Sequence, residues 1–306
     1  QMDACGACWP EAHFDADKMA TLAMQPAEMF GFATAKVPFS ITTMPKMLGC
    51  ETDIGTKDKH PAVTGSPWRN DDMVMPEVPD FPSPDEFVEM EGLRVIMDAA
   101  RKIRSRREDL FVITGMEDPS TAVYQSVGLE TFLMAGMMDP DLCKRWISAV
   151  SPCVRRYAEV LSEVSDDIQI IVDASTDIMP PELFTDIIMD DMAATIKSVK
   201  CPFSTVHCCG STTEVLEHLA SMGETGLSIE SFGDYEGVVE RTRGKVRLIG
   251  GVPPVAHLFQ GTPKDIVGDA WKASDAGYDI IAPECGVPPL TPNENLQALA
   301  SYRKCR

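Results

Sequence analysis

Seven short apolar runs punctuate this chain: Phe32–Val37, Leu110–Thr114, Ile168–Ala174, Phe203–Cys209, Gly226–Glu230, Val246–Val252 and Tyr278–Pro283. All but the first two are separated from the next run by a single helix-like stretch, so strand and helix alternate as in βα units. The helix starts agree. Ser83-Pro84-Asp85-Glu86 is a capping box with proline at the first helical position, and it opens a helix expected to run through Phe87, Met90, Leu93, Ile96 and Met97. Thr262-Pro263-Lys264-Asp265 is a looser version, and Thr291-Pro292-Asn293-Glu294 a full one opening the last helix. This alternation predicts an α/β fold, a (β/α)8 TIM barrel, although only seven of the eight strands are present. The chain has no methionine at position 1, and Gln1-Met2-Asp3-Ala4-Cys5 reads like the middle of a helix. The expectation is a barrel whose N-terminal first strand is missing from this chain. A doubly wound open sheet is the runner-up, weakened because no Gly-rich phosphate loop follows any strand and Gly250-Gly251 lacks the rest of a nucleotide fingerprint.

At 306 residues and 44% hydrophobic, the chain can bury the core of one domain spanning 1–306. The stretch 40–79, rich in Pro, Gly and Asp, is too long for a structureless loop and is expected to form a loop or hairpin excursion over the barrel mouth. Acidic residues outnumber basic ones 47 to 27, giving a net charge of -20 that argues against nucleic acid and anionic membranes as partners. No apolar run approaches the roughly 20 residues that span a bilayer, and the start has no signal-peptide pattern. Ten scattered cysteines, two of them adjacent, do not form a disulfide framework and point to a reducing, cytoplasmic setting. With 18 methionines beside those thiols, an anaerobic source is plausible.

Chemistry gathers where strands of such a barrel end. His207 and Cys209, at i and i+2 of an extended strand, point to one face and can hold one ion while Cys208 faces away. Cys285, just past the last run, offers a second thiol at the same end, so that His207, Cys209 and Cys285 make a three-ligand set with one position left for substrate, the pattern of a catalytic zinc. The bland alternative is a satisfied histidine and small buried thiols. Glu230 ends the fifth run and has three readings: a fourth ligand displaced by substrate, a partner of His207, or a cap for the next helix. Asp173 either accepts a hydrogen bond from substrate or satisfies a loop amide. Of the other histidines, only His13, beside Trp9 and Glu11, has company suggestive of a site. Cys5 and Cys8 form a CxxC with no second ligand pair, and a helical face is the simpler reading.

His207-Cys208-Cys209-Gly210 resembles the H-x-C-G of the methylcobamide:coenzyme M methyltransferases, and Ala282-Pro283-Glu284-Cys285-Gly286 followed by Thr291-Pro292-Asn293-Glu294-Asn295-Leu296 is similar to their closing segment. Trp9-Pro10-Glu11-Ala12-His13, Val37-Pro38-Phe39, Gly55-Thr56-Lys57 and Gly226-Leu227-Ser228-Ile229-Glu230 extend the likeness along nearly the whole chain. The family belongs to the uroporphyrinogen decarboxylase superfamily of (β/α)8 barrels. The resemblance implies transfer of a methyl group from methylcobalamin or another methylated corrinoid, carried on a cognate corrinoid protein, to the thiol of coenzyme M in methylotrophic methanogenesis. It implies Zn2+ on His207, Cys209 and Cys285, with Glu230 and Asp173 in catalysis and Trp9, His13 and Lys36 as cofactor or substrate contacts, Lys36 facing the sulfonate. Two other functions stay open: a metal-free decarboxylase of the same superfamily, and a non-catalytic corrinoid-binding zinc protein.

Overall fold

The computed structural model describes residues 1–305. Nine strands occur among them: β1 (Thr34–Val37), β2 (Glu51–Asp53), β3 (Ala62–Gly65), β4 (Phe111–Glu117), β5 (Asp167–Val172), β6 (Phe203–Cys208), β7 (Gly226–Ile229), β8 (Arg247–Val252) and β9 (Ile280–Pro283). β2 and β3 form a small antiparallel hairpin, while the other seven make one parallel sheet in the order β1-β4-β5-β6-β7-β8-β9. Every apolar run of the sequence is a strand of that sheet.

Alternation along the strands separates two faces. Val112, Met116, Ile168, Ile170, Val206, Cys208, Leu227 and Ile229 are buried beneath the helices. Lys36, Gly115, Gln169, Ile171, Thr205, His207 and Ser228 fall on the opposite face by the same alternation. That face is concave. The Sγ atoms of Cys209 and Cys285 lie 3.0 Å apart although β7 and β8 stand between their strands, so the sheet must curl to bring the ends of β6 and β9 together.

Where a closed eight-stranded barrel is expected, the sheet has seven strands, and no ladder joins β9 to β1 among the described residues. A cavity of about 670 Å³ lies between these two edges, lined by Thr34 and Lys36 of β1, Pro283 of β9, Trp9, His60 and Leu290 among others. The 40–79 excursion contains a short helix, Thr43–Met47, and the β2–β3 hairpin, whose Lys57, Asp58 and His60 reach that cavity.

Two helix starts differ from expectation. The Ser83 capping box forms, but its helix stops at Val88 and a second one runs from Glu91 to Arg106, because Met90 adopts an extended backbone with ψ of 149°. At the C-terminal end the helix begins at Asn293 with Pro292 as N-cap, which places Glu294 one position too early to complete a box with Thr291. The Thr291 hydroxyl is buried with no partner among the described residues. The Thr262 box forms as read, with Asp265 in the glutamate's place.

Candidate metal centre

His207 is the fifth residue of β6, paired with Ile171 of β5 and Ser228 of β7. Its side chain is buried, and Nδ1 lies 3.0 Å from the Ser228 hydroxyl, which fixes the ring and leaves Nε2 facing Cys209 Sγ at 3.1 Å. Cys209 follows directly after the strand, on the same face, and Cys208 between them is buried on the helix side with its thiol pushed up to about 12 by burial. Cys285 arrives from the loop after β9. The three donor atoms lie within 4.8 Å of one another. Around a tetrahedral zinc the same donors would stand roughly 3.5–3.8 Å apart, so small side-chain adjustments suffice to surround one ion. One imidazole and two thiols are the soft donor set that zinc prefers.

The two thiols share their proton unequally. The hydrogen bond from Cys209, with His207 beside it, lowers the pKa of Cys285, and the same contact raises that of Cys209.

The turn after Cys209 is specific. Gly210 adopts φ of 70°, and a Cβ there would meet Ser175 Oγ at 2.4 Å. Its N–H donates to Glu230 Oε1 at 2.9 Å. Glu230 thus braces the loop that carries Cys209, and it is Ser228 that contacts His207. Glu284, next to Cys285, is buried and accepts from the backbone N–H and the hydroxyl of Ser231 at 3.2 and 2.5 Å, tying the Cys285 loop to the Glu230 loop. Asp173 accepts from the Tyr124 hydroxyl at 3.2 Å, and its backbone N–H donates to Thr121 Oγ1 at 3.4 Å; burial raises its pKa.

Lys36 rises from β1 into the concave face and hydrogen-bonds Gln169 of β5. Gly115 of β4 makes room, since a Cβ there would sit 3.3 Å from Lys36 Cε. Lys36 is exposed toward the cavity with protein on all sides; desolvation lowers its pKa while Cys285, Asp167 and Cys209 push it back up. Trp9 and His13 stand apart from the three ligands. Trp9 packs against His60, His13 and Phe39, with ring centroids 4.4, 4.9 and 6.2 Å away. The indole N–H and both His13 ring nitrogens are buried with no protein partner among the described residues. Burial, then His60, pushes His13 down to about 4, so it is neutral at pH 7.

Sequence reasoning missed Ser228, Gln169 and Glu284 as supports of the site. Ser228 alone left a signal: a polar residue within Leu227-Ser228-Ile229, two positions before Glu230 and on the same face.

The model of the uroporphyrinogen decarboxylase (URO-D) family matches residues 1–305. The chain belongs to that family. Among curated proteins it is similar to the methylcobamide:CoM methyltransferase MtaA of Methanosarcina barkeri, at 29% identity over 99% of this chain and 88% of the relative. It is also similar to the methylated-thiol–coenzyme M methyltransferase of Methanosarcina mazei, at 26% identity over 100% of this chain and 81% of the relative. Among solved structures, a methyltransferase from Methanosarcina mazei superposes with a TM-score of 0.91 at 31% identity, covering 99% of this chain and 89% of that one. Among the described residues no helix is long and apolar enough to cross a membrane.

Proposed function

We propose that this member of the URO-D family is a zinc-dependent methyltransferase that moves a methyl group from a methylated corrinoid, carried on a corrinoid protein, to the thiol of coenzyme M. The observation that carries this reading is the convergence of His207, Cys209 and Cys285 within 4.8 Å at the end of the curled sheet. The names of the relatives supply the reaction class. The reading places the chain in methylotrophic methanogenesis and in the cytoplasm, where its free thiols stay reduced. It takes 1–306 as one domain, a (β/α)8 barrel that an eighth strand between β9 and β1 would close, with 40–79 as an excursion over its mouth.

Zinc bound at the cluster would supply Lewis acidity, lowering the pKa of a substrate thiol that is otherwise near 8.5 and mostly protonated at neutral pH. In the transfer, a carbon–sulfur bond forms and the cobalt–carbon bond breaks, with both electrons of that bond remaining on cobalt. His207, Cys209 and Cys285 would hold the ion, and the two thiolates would keep its effective charge low. Glu230, held on the N–H of Gly210 beside Cys209, would be a further ligand that yields to the substrate sulfur. Lys36, free to reach into the cavity, takes the sulfonate of coenzyme M, with Gln169 steadying it. Asp173 sits at the same end of the sheet to orient substrate. Trp9, on the cavity wall, contacts the corrinoid, with His13, a neutral imidazole packed against the indole, behind it.

The test is metal analysis combined with methyl transfer from free methylcobalamin to coenzyme M. About one zinc per chain and transfer that Cys285→Ser abolishes together with most of the metal are the expected results. A protein purified without metal, yet able to decarboxylate a porphyrinogen, would return the chain to the decarboxylase reading.

A further inference from the structure

The loops beyond β5, β7, β8 and β9 turn large apolar side chains to solvent: Ile178, Phe232, Val255, Val287 and Leu290. Phe232 is 67% exposed and sits at φ of 49°, a left-handed conformation that an aromatic residue rarely adopts. The backbone here holds a phenyl ring out in water against both its conformational preference and its hydrophobicity. Exposed apolar side chains gathered at one end of a molecule mark an interaction site. Because β7, β8 and β9 are neighbours in a parallel sheet, their loops adjoin at one end of the molecule.

The charges of the same loops are one-sided. Segments 173–180, 209–215, 230–234, 253–262 and 284–292 hold no lysine or arginine, in a chain with 27 of the two, and six acidic residues, of which Asp177, Glu214 and Asp234 are exposed and Glu284 is buried. Cations collect before the strands instead, as at Arg106 and Arg107 ahead of β4 and Lys200 ahead of β6, or in the excursion on the β1 side.

We propose that the loops beyond β5 to β9 form the docking face for the protein that delivers the methyl donor, a partner whose contact surface has an apolar centre rimmed by lysines and arginines. The identity of that cargo rests on the methyltransferase reading. The choice of occupant rests on charge and continuity. A second copy of this chain would set the same acids against each other across a two-fold axis. Anionic lipid or nucleic acid meets the same repulsion. The loops that form the face also carry Cys209, Glu230 and Cys285, so a protein seated there presents its cargo to the cluster.

The test uses Phe232→Ala, Val255→Ser and Glu214→Lys, the last an exposed carboxylate in the loop after β6. The probe is a purified, cobalt-methylated corrinoid protein, its binding read directly by calorimetry, with transfer from free methylcobalamin as the reaction that needs no docking. Each variant should bind the corrinoid protein at least tenfold more weakly, and wild-type binding should weaken several-fold between low and 300 mM salt. Thermal melting and the rate with free methylcobalamin should stay as in wild type. Wild-type affinity in all three variants, or no binding by the wild type itself, overturns the docking face; a proportional loss with free methylcobalamin makes these residues part of the reaction cavity instead. If the wild type binds the corrinoid protein and the variants do not, but free methylcobalamin is never used, the methyltransferase reading falls and the docking face stands.

Discussion

His207 Nδ1 lies 3.0 Å from Ser228 Oγ, directly across the β6–β7 ladder. Both residues are buried, so no solvent competes for the imidazole, and the hydroxyl sets which nitrogen is left for a metal. Partners of this kind orient a ligand and raise its basicity. Ser228→Ala should therefore weaken zinc binding by about 10- to 100-fold, measured by competition with a chromogenic chelator. Ser228→Thr, which keeps the hydroxyl, should recover most of the affinity. Wild-type affinity in the alanine variant would mean that packing alone orients the ring.

Glu230 poses a different question, because its carboxylate accepts from the Gly210 N–H, while the His207 Nδ1 contact is to Ser228. If it serves the open position of a metal and yields to substrate sulfur, Glu230→Gln should keep the zinc, since His207, Cys209 and Cys285 remain. Thiol affinity should hold or rise because the neutral amide is the poorer ligand. A chelator titration run beside a coenzyme M titration reads both quantities. Loss of zinc affinity by 10-fold or more would assign Glu230 to support of the ligands instead.

The seven strands were legible because strands packed under helices carry near-continuous apolar runs, and the grouping of His207, Cys209 and Cys285 because all three fall at strand ends. What escaped notice depends on distance along the chain. Ser228 meets His207 across 21 residues and Gln169 meets Lys36 across 133, pairings fixed by sheet register and curl and without a local pattern. The break at Met90 escaped for a different reason. Its helical periodicity continues across the gap, so apolar spacing alone cannot distinguish one bent unit from two. The Thr291 box failed by a single residue, within the ordinary uncertainty of helix starts.

Lys36 can be tested by the tail of the substrate. A charged hydrogen bond contributes about 1.5–3 kcal/mol, so Lys36→Met should raise the KM for coenzyme M by roughly 10- to 100-fold. The KM for 2-mercaptoethanol, which has the thiol but no sulfonate, should change little. Equal losses for both thiols would show that Lys36 acts on the cluster itself, toward which its charge already reaches.

Glu117, at the end of β4, gives the molecule a pH signature independent of any metal. Its side chain is 3% exposed, Oε1 has no partner among the described residues, and burial pushes its pKa up to about 8. In the unfolded chain the same carboxyl titrates near 4.3. Between these values the folded state binds the proton and the unfolded state does not, so stability falls as pH rises. The contribution is fully present below about pH 4 and is lost by the time pH passes the folded value of about 8. Glu117→Gln replaces the titrating group with a neutral one of the same shape and should remove this slope. Urea denaturation at pH 5 and pH 9 should therefore show the variant gaining on wild type at the higher pH, by an amount on the order of a few kcal/mol. An identical pH dependence in both proteins would mean that Glu117 ionises freely in the fold, through a solvent path to the end of β4.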